Sequence, residues 1–238
     1  MDSTLVEKLE ESKKTGVLNL MGLGLTELPE LPHNITALAC YGNRLKTLPQ
    51  LPPTLTHLWC GNNNLTSLPP LPDSLLYIWC MNNHLTSLPT LPNGLQYLGC
   101  ENNCLTDLPT LPESLIHIRC SNNFLKTLPT VSQQILYIRC ENNQLVELPP
   151  LPSSLKHLYC YGNQLTTLPE LPTSLRHLRC ERNRLTSIPR PPDSLMYLEC
   201  TENPLNTNCT LYMRNRNPVD GLRRYYQTCT EPPLMGKM

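Results

Sequence analysis

The sequence predicts a solenoid, a ladder of short parallel β-strands with one strand for every twenty residues. The main observation is a cysteine that recurs at positions 40, 60, 80, 100, 120, 140, 160, 180 and 200. An asparagine follows each of these cysteines by three residues. Self-similarity at a fixed short period is typical of a repeat architecture, in which each repeat contacts only its neighbours.

The apolar residues of each repeat keep fixed positions around the cysteine. The frame reads Leu-x-x-Leu-x-Cys-x-x-Asn-x-Leu-x-x-Leu-Pro-x-Leu-Pro, a leucine-rich repeat with cysteine in its third apolar strand position. The chain has 25 prolines but only one phenylalanine and two tryptophans, so leucine must supply most of the core. We therefore predict a leucine-rich repeat solenoid with a parallel β-sheet on its concave face, an extended, polyproline-like convex side and short helical caps.

The chain begins with a segment that favours a helix. Leu5, Val6 and Leu9 make one apolar face of a helix over residues 3–15, and a glycine follows. Because the end of a solenoid exposes an apolar cross-section, we expect residues 1–16 to form an N-terminal helical cap.

The repeats and a second cap account for the rest of the chain. About ten repeats span residues 17–205, and the first is degenerate, with Leu20 in the cysteine position. Residues 206–238 are expected to form a C-terminal cap and tail, with a helix that opens at Asn217 and Pro218.

The recurring polar residues have a structural interpretation. Equivalent side chains on parallel strands lie about 4.8 Å apart and point the same way, whereas a disulfide needs Cβ atoms about 3.8 Å apart. We therefore predict buried free thiols and an intracellular, reducing compartment. The recurring asparagine amide is expected to bond backbone groups of its own turn and of the neighbouring one.

Composition and motifs exclude several classes of function. The 19 basic and 19 acidic residues cancel, so no global field attracts nucleic acid or a membrane. No export signal and no apolar run of about eighteen residues appear, so a soluble chain is expected. Because no P-loop, GxGxxG, HExxH or CxxC is present, we expect no catalytic residue, metal site or cofactor.

The cysteines outside the repeated position are expected to be bystander thiols: Cys104, Cys209 and Cys229.

The strand positions that face outward carry the functional prediction. Strand residues alternate between core and solvent, so His57 and Trp59 face out when Leu58 and Cys60 face in. Eight of nine cysteine-containing repeats have His or Tyr at the first of these outward positions. Such a column is either a ladder of stacked rings that stiffens the sheet or a surface for a partner.

We predict a partner-binding surface made of an aromatic half and an Arg/Glu/aromatic half. Trp, Tyr and Arg are enriched among the residues that dominate interface energies. The predicted contact residues are His57, Trp59, Tyr77, Trp79, Met81, Tyr97, His117, Arg119, Tyr137, Arg139, His157, Tyr159, Tyr161, His177 and Arg179.

Residues 16–205 repeat the motif Asn-Asn-x-Leu-Thr-x-Leu-Pro-x-Leu-Pro, as in Asn62 to Pro72 (NNNLTSLPPLP). They resemble the LPX-type repeats of bacterial type III effectors of the YopM and IpaH families. The resemblance implies a curved solenoid that binds a host protein after delivery into a host cell. The residues after 205 are too few for the ubiquitin-ligase domain of IpaH-like proteins, so no ligase activity is expected. The strict cysteine ladder departs from the usual bacterial repeats, and similar short repeats occur in large DNA viruses.

These observations favour a non-enzymatic protein–protein interaction module, in the host cytoplasm if the chain is an effector or a viral protein. One alternative is a structural or virion-associated assembly protein. A weaker alternative is a single-stranded nucleic-acid binder, since Tyr, Trp and Arg side chains can stack on bases.

Overall fold

A computed structural model describes residues 3–205 and Val219. Helix α1 spans Ser3–Thr15 and precedes ten strands of three residues each. No helix in the described part of the chain is both long enough and apolar enough to cross a membrane. The strands are β1 Val17–Asn19, β2 Ala37–Ala39, β3 His57–Trp59, β4 Tyr77–Trp79, β5 Tyr97–Gly99, β6 His117–Arg119, β7 Tyr137–Arg139, β8 His157–Tyr159, β9 His177–Arg179 and β10 Tyr197–Glu199.

The strands form one parallel sheet in chain order, β1 to β10. Each strand pairs with the next at a shift of twenty residues, as when His117 lies opposite Tyr137. Between the strands of residues 17–205 the chain has turns and extended segments and no helix. The predicted leucine-rich repeat solenoid is therefore confirmed.

The core is a set of identical layers rather than a single central cluster. In the repeat around β3, Leu55, Leu58, Cys60 and Leu65 have no exposed surface, and the equivalent residues of the other repeats are similarly buried. Each layer is covered by its neighbours on both sides, so removal of apolar surface from water depends on stacking of repeats.

The recurring asparagine binds two repeats together, as predicted. Asn123 donates from Nδ2 to the carbonyl oxygens of Cys120 at 3.1 Å and of Cys100 at 3.0 Å. Its Oδ1 accepts from the Leu105 amide at 3.0 Å. Because Asn123 is buried, these backbone groups have no water to replace the side chain.

A second asparagine column was not predicted. The residue two positions after each ladder cysteine is in the left-handed region, with φ between 50° and 56° for the non-glycine cases and about 70° for glycine. Asparagine and glycine tolerate this conformation better than other residues. The asparagine side chains also bond along the column, as Asn102 Nδ2 donates to Asn82 Oδ1 at 2.6 Å.

The predicted helix over residues 3–15 is confirmed, and it packs on β1. Leu5 and Leu9 lie against the core cluster, but Val6 is 45% exposed, so its placement on the apolar face is wrong. The helix ends at Thr15 and is followed by Gly16, which has a φ of 73° and donates its amide to the Ser12 carbonyl at 2.8 Å. A left-handed glycine is a common helix terminator.

The predicted C-terminal cap, with its helix from Asn217, lies outside the described residues except for Val219. That residue is helical and packs in the core cluster.

The nine ladder cysteines are buried, and the eight from Cys40 to Cys180 are free thiols. Five of these thiols lie close to a carbonyl oxygen of the next repeat, as when Cys120 Sγ donates to the Arg139 oxygen at 3.4 Å. Burial raises the pKa of Cys40 and Cys80 to about 12. Thiols that are both buried and protonated react slowly with electrophiles and oxidants.

Replacement of the buried asparagine should cost far more than replacement of its exposed neighbour. We expect Asn123→Ala to lower the free energy of unfolding by about 2–4 kcal/mol, because buried carbonyl and amide groups lose their partners. Asn122→Gly should cost less than about 1 kcal/mol, since it keeps the left-handed backbone and removes one exposed contact. Urea denaturation followed by circular dichroism measures both, and equal losses would contradict the assigned role of Asn123.

Thiol titration tests the burial of the ladder. In a Cys209→Ser/Cys229→Ser variant, ten of the twelve cysteines remain. In the folded protein we expect one of them, the partly exposed Cys104, to react promptly with a thiol reagent. All ten should react in denaturant. Rapid reaction of several thiols without loss of circular dichroism signal would show that the ladder is accessible.

Candidate functional site

Three columns of side chains form one surface, here called the sheet face. The first strand residues make the ring column, which runs from His57 to Tyr197. The third strand residues make the anchor column, which runs from Asn19 to Glu199. The residues that follow Leu20 and the ladder cysteines make the flanking column, from Met21 to Thr201. The middle residue of every strand is buried, while its neighbours are mostly half-buried or exposed.

The ring column is a continuous stack. The centroids of His57 and Tyr77 lie 4.5 Å apart, and those of Tyr77 and Tyr97 lie 4.6 Å apart. The contacts continue through His117, Tyr137, His157 and His177 to Tyr197, at 4.6 to 6.1 Å. Most of these neighbouring rings are stacked, whereas Tyr137 and His157 are tilted by 44°. The ring contacts reinforce the pairing of adjacent strands.

An apolar cleft of about 560 Å³ opens on the sheet face beside the first strands. It contains both tryptophans of the chain, and Trp79 is 37% exposed. Tyr77 and Tyr97, which were predicted in the same aromatic half, belong to the ring column and do not line the cleft. The lining residues are Val17, Asn19, Met21, Ala39, Tyr41, Trp59, Trp79 and Met81.

The sequence prediction found three of the cleft residues, Trp59, Trp79 and Met81, and missed the rest. The missed residues belong to the first two repeats, where the frame is degenerate or carries alanine. Their phase was a usable signal, because Met21 and Tyr41 precede Met81 in the flanking column by whole multiples of twenty residues.

In the anchor column, Gly99 follows the two tryptophans and ends this run of aromatic side chains. A Cβ atom at this position would lie 3.2 Å from Trp79 Cδ1 and 3.2 Å from Glu101 Oε2. The indole and the carboxylate therefore occupy the space that a larger residue would fill. Burial raises the pKa of Glu101, although the positive charges of Arg119 and Arg139 oppose the shift.

The predicted Arg/Glu half is linked by pairs within single repeats. Arg139 Nε donates to Glu141 Oε1 at 2.7 Å, and Glu141 is only 3% exposed. Arg179 pairs with Glu181 through Nη2, which donates to Oε1. The guanidinium carbons of these arginines also lie over Tyr159 at 5.5 Å and over Tyr161 at 4.7 Å. Bonded and stacked arginines hold fixed positions on the surface.

Arg119 is held differently. Its guanidinium carbon lies 6.0 Å from the Trp79 ring centroid and 5.5 Å from that of Tyr137. Trp79 also lines the cleft, so Arg119 joins the aromatic half to the Arg/Glu half. The predicted contact residues thus divide among the ring column, the cleft and the arginine pairs.

Two histidines of the ring column are less basic than usual. The pKa of His157 is lowered because burial disfavours the charged imidazole, and the nearby His177, Arg176 and Lys156 act in the same direction. The pKa of His117 is also lowered, first by burial and then by the charge of Arg119.

Together, the fold and the columns have the architecture of leucine-rich repeat proteins. The model of the family described as leucine-rich repeats in two copies matches residues 53–93. A comparison with curated protein sequences gives no match.

Solved structures show the chain's more particular similarity to bacterial effectors. YopM, a leucine-rich effector protein from Yersinia pestis, is 37% identical with a TM-score of 0.78 over 84% of this chain. The chain spans 65% of that YopM chain, which is less than two thirds of its length. A Shigella effector leucine-rich repeat domain is 27% identical with a TM-score of 0.55, over 89% of this chain and 80% of that one.

The functional domain of InlJ from Listeria monocytogenes is 29% identical with a TM-score of 0.75, over 83% of this chain and 46% of that one. That domain is described as including a cysteine ladder. Because a cysteine ladder also occurs in a bacterial protein, this feature does not point to a viral source.

The lowered histidine pKa values predict loss of stability in acid. Where folded pKa values lie below unfolded ones, the unfolded chain binds more protons, so the free energy of unfolding falls as pH drops below about 6.5. We expect His157→Tyr, which keeps a ring in the stack, to lose less stability than the wild type between about pH 7 and pH 5.

Urea denaturation at each pH measures this difference. His84→Gln, on an exposed turn outside the stack, is the control and should behave as the wild type does. If the free energy of unfolding of His157→Tyr fell with pH as steeply as that of the wild type, protonation of His157 would not be a cause of the acid destabilisation.

Proposed function

We propose that this chain is a non-enzymatic protein-interaction module that binds a partner protein through its sheet face. The observation that carries the proposal is the apolar cleft, which holds Trp59 and Trp79 on an exposed surface. Exposed apolar patches rimmed by polar residues commonly mark interaction sites, and tryptophan is enriched among residues that dominate binding energy.

A host protein is the proposed partner, in a reducing intracellular compartment. Two of the similar structures are effector proteins, from Yersinia pestis and Shigella. The free buried thiols from Cys40 to Cys180 suit a compartment in which cysteines stay reduced.

The ring column favours a protein partner over single-stranded nucleic acid. Bases bind such proteins by stacking on aromatic faces that are open to them. Here the faces of Tyr77 and Tyr97 are already stacked on neighbouring rings. Insertion of a base would require these stacked rings to move apart.

Truncation of the tryptophans tests the proposal. We expect Trp59→Ala/Trp79→Ala to reduce capture of its partner at least about tenfold, because the anchors of an interface are each worth about 2 kcal/mol or more. Immobilised wild type and variant are exposed to a eukaryotic cell lysate, and bound proteins are compared by quantitative mass spectrometry.

Phe124→Ala is the matched control, since Phe124 is the chain's single phenylalanine and is exposed on a turn outside the sheet face. It should capture the same proteins as the wild type. Identical bound proteins on the double variant, with circular dichroism unchanged, would overturn the assignment of the cleft.

A further inference from the structure

Arg119 differs from the two other arginines of the anchor column. Arg139 and Arg179 each pair with the carboxylate that stands two residues later in the same repeat. In the Arg119 repeat that position is Ser121. The Ser121 hydroxyl is buried and has no hydrogen-bond partner. The side chain that would neutralise Arg119 is therefore absent from its own repeat.

The guanidinium of Arg119 is positioned but not hydrogen-bonded. It lies between the Trp79 and Tyr137 rings, and within residues 3–205 its side chain makes no hydrogen bond or ion pair. A guanidinium has five N–H donors in a planar fork that matches a carboxylate. Rings on both sides reduce the conformational freedom that binding would otherwise remove.

The cleft leads toward this guanidinium. Its lining residues come from four successive repeats, from Asn19 to Trp79 in the anchor column. Four strands at the usual spacing span about 14 Å, which is the length of about four extended residues. The shape of the cleft suits an extended peptide segment that runs across the strands, with one end near Trp79 and Arg119.

The surrounding charge favours a single carboxylate over a phosphate. Glu101 stands on the repeat before Arg119 and is not within ion-pair distance of it. It would nevertheless repel a dianion more than a monoanion. Arg139 and Arg179 are paired with Glu141 and Glu181, whereas no carboxylate binds Arg119 directly, although its charge acts on Glu101 at longer range.

We propose that the partner segment is an extended peptide that places an apolar side chain in the cleft and an Asp or Glu carboxylate on Arg119, within about four residues of each other. This inference rests on the proposed function, because it names the chemistry of the segment that the sheet face binds.

Selection from a phage-displayed random heptapeptide library tests the inference with a defined probe. The immobilised proteins are the wild type, Arg119→Gln, and Arg184→Gln as the matched control, because Arg184 is exposed on a turn outside the sheet face. On the wild type and on Arg184→Gln we expect enrichment of peptides that pair an apolar residue with Asp or Glu. On Arg119→Gln the apolar residue should remain enriched and the acidic residue should not.

Tryptophan fluorescence gives the affinity of a selected peptide, since both tryptophans of the chain line the cleft. Its Asp→Asn or Glu→Gln version should bind wild type about tenfold to a hundredfold more weakly, the usual loss for a charge-assisted hydrogen bond. Arg119→Gln should bind the two versions equally.

Ser121→Glu provides an independent test that keeps Arg119. The equivalent position holds a buried glutamate in two other repeats, so the site accommodates this side chain. We expect it to abolish the preference for the acidic peptide. Thr127→Glu, exposed on a connecting segment of the same repeat, makes the same charge change and should preserve the preference.

The outcomes separate this inference from the proposed function. Selected peptides that are apolar without an acidic residue would overturn the carboxylate inference and leave the cleft as the binding site. Peptides that bind Trp59→Ala/Trp79→Ala as well as the wild type, or no enrichment on the wild type, would overturn both.

Discussion

The structure depends on the twenty-residue register between adjacent strands. Asn123 shows how it is held, because one buried amide bonds the carbonyls of Cys100 and Cys120 and the amide of Leu105. A slip of one residue would turn core side chains outward and break these bonds. Side chains of equal phase therefore lie in columns that run along the sheet.

Stability and recognition depend on different columns of side chains. The buried columns repeat leucine, cysteine and asparagine almost without change, whereas the anchor and flanking columns vary from repeat to repeat. Variation there changes local chemistry without disturbing the layers beneath. Gly99 shows that neighbours in a column still interact, since its missing side chain leaves space for the Trp79 indole.

The period made the fold, the strand phase, the asparagine bonds and the free thiols predictable from the sequence. The period could not show which outward side chains meet. Met21 was missed because the degenerate first repeat hides its phase, and the position of Val6 depends on how α1 docks on β1. The isolation of Arg119 became visible only with the pairing of Arg139 to Glu141, which depends on rotamers rather than on spacing.

The buried asparagine bonds both its own repeat and the one before, and this limits how such a protein can change length during evolution. Each internal repeat presents a cysteine carbonyl and a leucine amide to the buried asparagine of the next repeat. Its own asparagine bonds the same two groups of the repeat before it. Duplication or loss of a whole twenty-residue unit would thus join compatible ends, whereas a shorter insertion would not. Unequal recombination within the gene would lengthen or shorten the contact surface and leave the cross-section of the solenoid unaltered.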